Sequence, residues 1–185
     1  MPRNVEIKAR LSDADATRRL VAAAADGPPT TLHQTDTFFR VAAGRLKLRE
    51  FADGTAELIH YARPDTTAPA ASRYAKAAVP DGAPLRDLLT AALGLRGRVV
   101  KRRLLFRVGR TRVHLDEVEG LGAFLELEVE MAEGESEAAG AEEAQRLMRE
   151  FGIPESALVA EAYVDLLEHG GRVATAAPAG ALRQS

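Results

Sequence analysis

The sequence of 185 residues predicts a mainly β chain with peripheral helices (α+β), its eight strands closing into an antiparallel tunnel. Three observations carry that prediction. Segments of strand length alternate apolar and charged residues with a period of two. Turn dipeptides such as Asp53-Gly54 and Gly109-Arg110 join successive segments. The segments also follow one another as a meander and do not alternate with helices as βαβ units would. About eight such strands suffice to close a barrel that can hold side chains or a small ligand.

Asn4 to Leu11 reads as the first strand, with Val5, Ile7 and Ala9 on one face and Asn4, Glu6, Lys8 and Arg10 on the other. Ser12 offers an N-cap, with Asp15 three residues on, for a helix through about Ala25, and Gly27-Pro28-Pro29 breaks it. Thr31 to Val41, Arg45 to Phe51, Glu57 to Arg63 and Ser72 to Val79 are the next strands, with a loop over Pro64 to Pro69. Pro80-Asp81-Gly82 introduces a helix from about Pro84 to Leu93 that Gly94 stops. Val99 to Val108, Thr111 to Val118 and Phe124 to Met131 complete the strands, and a helix follows from about Ser136 to Phe151. Tyr163 to Glu168 fits either helix or strand.

Residues 1–169 read as a single domain, since a second comparable core would leave both undersized. From Gly170 the composition turns to Gly, Ala, Thr and Pro, which predicts a flexible tail over 170–185. The absence of cysteine excludes disulfides, thiolate zinc sites and cysteine nucleophiles. A formal charge of -2 gives no global pull toward nucleic acid or anionic lipid, so a polyanion needs a local cluster of positive charge. No extended basic surface argues for a long nucleic-acid partner. The N-terminus reaches Arg3, Glu6 and Lys8 without a signal-peptide core, and no later run could cross a bilayer as a helix. The expectation is a cytoplasmic protein away from the membrane.

The charged faces are the informative feature. Arg45, Lys47 and Arg49 share one parity, as do Lys101, Arg103 and Arg107, then Arg112, His114 and Asp116, then Glu126, Glu128 and Glu130. Alternation alone is what any half-buried sheet shows. Here, however, the positive residues concentrate on some strands and the negative residues on others. A closed barrel would bring both blocks into one interior. Arginine and lysine there suit phosphate oxygens, and paired carboxylates suit the hard divalent ion that a polyphosphate needs.

Asn4-Val5-Glu6-Ile7-Lys8, Lys47-Leu48-Arg49, and Leu115-Asp116-Glu117-Val118-Glu119-Gly120-Leu121-Gly122 followed by Phe124-Leu125-Glu126-Leu127-Glu128 together resemble the CYTH family, the triphosphate tunnel metalloenzymes. The family includes class IV adenylyl cyclases, thiamine triphosphatases and inorganic triphosphatases. The resemblance extends from about Arg3 to Glu168 and implies a CYTH-like eight-stranded tunnel. It implies Glu6 and Lys8 as catalytic residues, and Lys8, Lys47, Arg49 and Arg103 as phosphate-binding residues. It implies Tyr61 and Arg63 as further substrate contacts, and the parity of Arg112 and His114 makes these two candidates as well. Glu6, Glu126 and Glu128 are the implied ligands of Mg2+ or Mn2+, with Asp116 assisting. Asn4 stands where the family pattern has the first glutamate of Glu-x-Glu-x-Lys, and an amide lacks the carboxylate's charge. A second ion is therefore expected to depend on the substrate.

The implied partner is a triphosphate-bearing small molecule or inorganic triphosphate, and the implied reaction is its metal-dependent hydrolysis. Two alternatives share the clamp: cyclisation of ATP to cyclic AMP and pyrophosphate, and a phosphate-metabolite binding module with little turnover. A homodimer is compatible with such a barrel, which needs no disulfide to assemble. His33 reads as a surface or structural polar residue. Phe38 and Phe39 read as packing residues, because neighbours on a strand face opposite ways.

Overall fold

The computed structural model describes residues 3–62 and 65–174. Eight strands form a closed barrel in the order β1-β5-β4-β3-β2-β6-β7-β8, with β8 pairing back onto β1. They are β1 (Arg3–Arg10), β2 (Thr30–Phe39), β3 (Arg45–Phe51), β4 (Ala56–Ala62), β5 (Ala70–Val79), β6 (Leu95–Val108), β7 (Thr111–Val118) and β8 (Gly122–Glu130). Every pairing is antiparallel. Sequence and structure differ mainly at strand ends. β6 starts four residues before Val99, because Leu95 to Arg98 continue the ladder with Phe39, Phe38 and Thr37 across an irregularity in register.

The barrel is inverted relative to a protein with a dry interior. Val5, Ile7 and Ala9 of β1 point outward and join Val113, Leu115, Leu125, Leu127 and Val129 in an apolar core beneath two helices. Those helices are α1 (Ala14–Ala24), contributing Val21, and α3 (Glu137–Glu150), contributing Ala144, Leu147 and Met148. Asp13, and not Ser12, caps α1, accepting from the Ala16 amide at 2.9 Å, because one residue further along places a carboxylate within reach of the first free amides. Ser136 caps α3 as its spacing predicts. Gly140 lets α3 approach the wall closely, since a Cβ there would lie 2.8 Å from Val5 Cγ2 and 2.5 Å from Met131 Sδ.

A second helix, α2 (Gly82–Leu93), covers the outer face of β2 and β3, where Leu85 and Leu89 pack on Phe39, Leu48 and Ala56. It starts two residues before Pro84, capped by Asp81, and ends at Gly94 with φ 80°. Proline in a first helical turn removes only an amide that has no intrahelical partner.

The ambiguous segment at Tyr163 is a helix, α4 (Tyr163–Ala174). Its first turn enters one end of the barrel, where Tyr163 and Val164 pack with Phe38, Val99, Val118 and Phe124. Phe124 and Tyr163 meet edge to face, their centroids 4.9 Å apart. The helix includes Gly170 to Ala174, which the composition had placed in the tail, and residues 175–185 lie outside the described residues. No helix among the described residues is long and apolar enough to cross a membrane.

Candidate active site in the tunnel

With apolar side chains turned outward, the other parity of each strand fills the barrel with charge. The resulting cavity, of about 450 Å3, is lined by Glu6, Lys8, Lys47, Arg49, Tyr61, Arg103, Arg112, His114, Glu126 and Glu128, so the fold gathers most of the residues singled out in the sequence. Lys101, Asp36, Arg45 and Asn4 line it too. Arg63 lies outside the described residues. Arg73 is exposed, and Arg107 is exposed at the rim, reaching Glu130 at 3.1 Å.

A basic group stands on β2, β3 and β6. Asp36, 2% exposed, accepts from Lys47 Nζ at 2.8 Å and from Arg49 Nε and Nη2 at 2.8 and 2.9 Å. Lys101 Nζ lies 3.7 Å from both Asp36 and Asp116. Burial would raise the Asp36 pKa, but Arg49, Lys47 and Lys101 hold it well below the usual carboxylate range. Lys101 moves the other way, as burial and then the nearby Arg103 bring its pKa down to about 7. The sequence reading passed over Asp36. Its signal was the shared parity of Gln34 and Asp36 on a strand otherwise notable for Thr and Phe.

Arg103 crosses from this group to the acidic strands. Its guanidinium donates to both Asp116 oxygens at 2.6 Å and to Glu126 Oε2 at 2.6 Å. Tyr163 donates its hydroxyl to Asp116 at 3.1 Å. Asp116, expected from the resemblance to assist a metal, is here a partner of Arg103. It is 1% exposed, its oxygens are engaged by Arg103 and Tyr163, and it positions the guanidinium. Lys8 Nζ donates to the Glu161 carbonyl at 2.9 Å, and it sits 3.5 Å from Glu126 and 4.1 Å from the centre of the Tyr163 ring.

The acidic group is on β7 and β8. His114, Glu126 and Glu128 each offer an atom within 4.8 Å of the others. His114 Nδ1 is buried without a hydrogen bond, 3.8 Å from Glu126 Oε2 and 3.6 Å from Glu128 Oε1. Burial lowers the His114 pKa, which favours the neutral ring with a lone pair available. Burial opposes ionisation of both glutamates. Lys8 nevertheless holds Glu126 well below its ordinary range, and His114 and Arg112 bring Glu128 down to about 2. A buried nitrogen without a hydrogen bond beside two ionised carboxylates fits a divalent ion, so His114, expected as a substrate contact, also belongs to the candidate metal cluster. Glu6 pairs across the strands with Glu128 and so adjoins the cluster without being one of its three members.

Arg112 flanks that cluster. It donates to Glu128 Oε2 at 2.9 and 2.6 Å and to Glu130 at 2.5 Å. Asn4, with its amide oxygen turned toward this guanidinium, accepts from it at 3.0 Å. The position that lacks a carboxylate thus lies against a cation.

At the α4 end Arg45 donates to Asp65 at 2.8 Å and to Asp165 of α4 at 2.8 Å, and Arg96 bonds the same Asp165. Tyr61 stands beside this pair, its ring centre 5.5 Å from Lys47. Burial raises its hydroxyl pKa, so the phenol stays protonated.

The structure is thus a closed β tunnel with an ionised, hydrogen-bonded interior and a His-Glu-Glu cluster whose atoms could hold a metal ion. The CYTH domain model matches residues 2–163, and the chain belongs to the CYTH family. No curated protein sequence matches it. Among solved structures it is similar to PH1012 from Pyrococcus horikoshii OT3, at 20% identity over 88% of this chain and 98% of that one, with a TM-score of 0.79. A Vibrio parahaemolyticus protein named for a suspected adenylate cyclase activity aligns at 20% identity over 89% and 97% of the two chains, with a TM-score of 0.73. HpAC1 from Hippeastrum, described as a suspected adenylyl cyclase with a dominant triphosphatase activity, aligns at 18% identity over 92% and 96%, with a TM-score of 0.62. At these identities the likeness is one of fold.

Proposed function

We propose that the chain binds a triphosphate in the tunnel and hydrolyses it in a reaction dependent on Mg2+ or Mn2+. One observation carries this reading: a basic wall of Lys47, Arg49, Lys101 and Arg103 and the cluster of His114, Glu126 and Glu128 line a single cavity of about 450 Å3. That size is within the range of small-molecule sites. Each cation near the phosphates is already held by a carboxylate, so it is oriented before the ligand arrives and gains a second acceptor when phosphate oxygens replace part of its shell.

His114, Glu126 and Glu128 would hold the ion, which supplies charge neutralisation on the phosphoryl oxygens. Lys8 and Arg103 adjoin Glu126 and would bind oxygens of the phosphoryl group beside the ion. Lys47 and Arg49, across the tunnel, would bind the rest of the chain. Water then attacks the terminal phosphorus, the bond from that phosphorus to its bridging oxygen breaks, and the diphosphate departs with the electron pair. Glu6, opposite Glu128 on the adjacent strand, would take the proton from that water. Lys8 balances charge on the transferred group.

Cyclisation would use the same clamp with a ribose hydroxyl as nucleophile at the innermost phosphorus. HpAC1 supports the hydrolytic assignment, since a tunnel protein suspected of cyclase activity is described there with triphosphatase activity dominant. The deciding experiment incubates the protein with Mg2+ or Mn2+ and, separately, ATP, thiamine triphosphate and inorganic triphosphate, and identifies the products. Phosphate with the matching diphosphate is expected. Cyclic AMP with pyrophosphate would replace hydrolysis by cyclisation, and tight binding without any product would reduce the protein to a binding module.

A further inference from the structure

One part of the cavity wall has a chemistry that phosphates do not use. In mid-strand the inward positions of β2, β3 and β6 are polar or charged: Asp36, Lys47 and Arg49, Lys101 and Arg103. Toward one and the same end of the barrel, away from α4, each of these strands turns apolar, at Leu32, Phe51 and Leu105. Gln34 pairs with Phe51, Leu32 with Arg103 and Thr30 with Leu105, so Leu32 is the diagonal neighbour of both other side chains. Diagonal neighbours lie within roughly 8 Å, close enough for large side chains to form one surface. With strands spaced about 4.8 Å apart, a surface over three strands is about 10 Å wide.

The three residues are half-buried, and all three line the cavity. None of them belongs to the three apolar clusters of the described residues. A barrel end closed by packing would have drawn them into such a cluster. Their apolar surface instead borders the cavity. Leu105 is the cross-strand partner of His114, so the apolar arc adjoins the carboxylate cluster directly.

We infer that the arc of Leu32, Phe51 and Leu105 is a subsite for an uncharged flat ring carried by the triphosphate. The substrate is then a triphosphate ester of a ring-bearing alcohol, and bare inorganic triphosphate is a poorer ligand. This inference rests on the reading of the tunnel as a triphosphate site. Three adjacent apolar side chains offer a ring the area of contact that an isolated one could not, and apolar area removed from water is the driving force. Electrostatics alone would favour the inorganic ion, which carries more charge for the same basic wall. A preference for the ester therefore reports the apolar contact.

The test measures dissociation constants by calorimetry, without divalent metal so that no turnover intervenes, for inorganic triphosphate, ATP and thiamine triphosphate. At least one ester is expected to bind about tenfold more tightly than the inorganic ion. Phe51→Ala and Leu105→Thr should each bring that ratio down severalfold, and the ratio is insensitive to any general loss of folded protein. Inorganic triphosphate binding as tightly as both esters, or a ratio unmoved by both substitutions, overturns the subsite and leaves the triphosphate tunnel standing. Failure of all three ligands to bind, both here and with Mn2+ added, overturns the tunnel reading and the subsite with it.

Discussion

The basic wall built around Asp36 and the acidic wall of His114, Glu126 and Glu128 face the same cavity but are assembled on opposite plans. In the first, one buried carboxylate gathers Lys47 and Arg49 and stands 3.7 Å from Lys101. In the second, two half-buried carboxylates beside the buried His114 imidazole are kept ionised by flanking cations, Lys8 and Arg103 at Glu126 and Arg112 on Glu128. Each wall thus carries its own counter-charge before any ligand enters. Taking charge out of water costs several kcal/mol per ion unless it is paired, so a barrel filled with ions can fold only when built this way. The lesson is that the same ion pairs preorganise the site and make the charged interior tolerable.

The largest effect should come from breaking the basic wall at its centre. Asp36→Asn leaves Lys47 and Arg49 without their shared acceptor and is expected to cost about 3–5 kcal/mol, the usual result of stranding a buried charge. For a chain of this size that lowers Tm by roughly 10 °C or more. Added inorganic triphosphate should restore part of the loss, because a ligand that binds only the folded form raises its stability by mass action. A melting temperature unchanged by the substitution would mean that Asp36 does not organise this wall.

The acidic wall is tested by Glu126→Gln, which should weaken Mn2+ binding by about a hundredfold or more, read by electron paramagnetic resonance. Metal-free binding of triphosphate by the same variant should hold or tighten, since a negative charge has left the tunnel. The reciprocal substitution is Arg49→Ala. Charge-assisted hydrogen bonds are worth about 1.5–3 kcal/mol, so triphosphate affinity should fall about tenfold to a hundredfold. Mn2+ affinity without triphosphate should change far less. If both substitutions weaken both ligands equally, the two walls do not divide the work.

The smallest effect concerns pH. Lys101 has a pKa brought down to about 7 by burial and Arg103, so in the free protein it loses its proton as pH rises through neutrality. A bound polyanion favours the charged ammonium and raises that pKa, so binding takes up a proton between the free and bound values. Triphosphate affinity should therefore fall between pH 7 and pH 9 by no more than about tenfold per unit. The proton uptake should appear at pH 8 as a binding enthalpy that depends on the ionisation heat of the buffer. Lys101→Met should remove the dependence, and its persistence would assign the proton to another group.

Much of this arrangement was legible from residue order. The period-two alternation placed eight strands, and the parity of Glu6 and Lys8, Lys47 and Arg49, and Glu126 and Glu128 put their side chains on one face, where the cavity now finds them. Asp36 was harder to read, since its role depends on Lys47 and Arg49 of β3 and Lys101 of β6, strands that flank β2 only in the closed sheet. The surroundings of Asp116 and His114 were hidden for a similar reason. They share a parity, so sequence cannot say that Arg103 and Tyr163 engage Asp116 while His114 stands beside the two glutamates.

By itself the sequence determined the strand elements, the face on which charge lies and the family, because these follow from side-chain period, turn chemistry and ordered motifs. Tertiary structure decided which face became the interior, since the outward apolar rows are buried only once α1, α2 and α3 pack against the wall. It also decided the pairing of each ion inside, because cross-strand neighbours are set by the register of the closed barrel, in which β2 lies between β3 and β6 and β8 returns to β1.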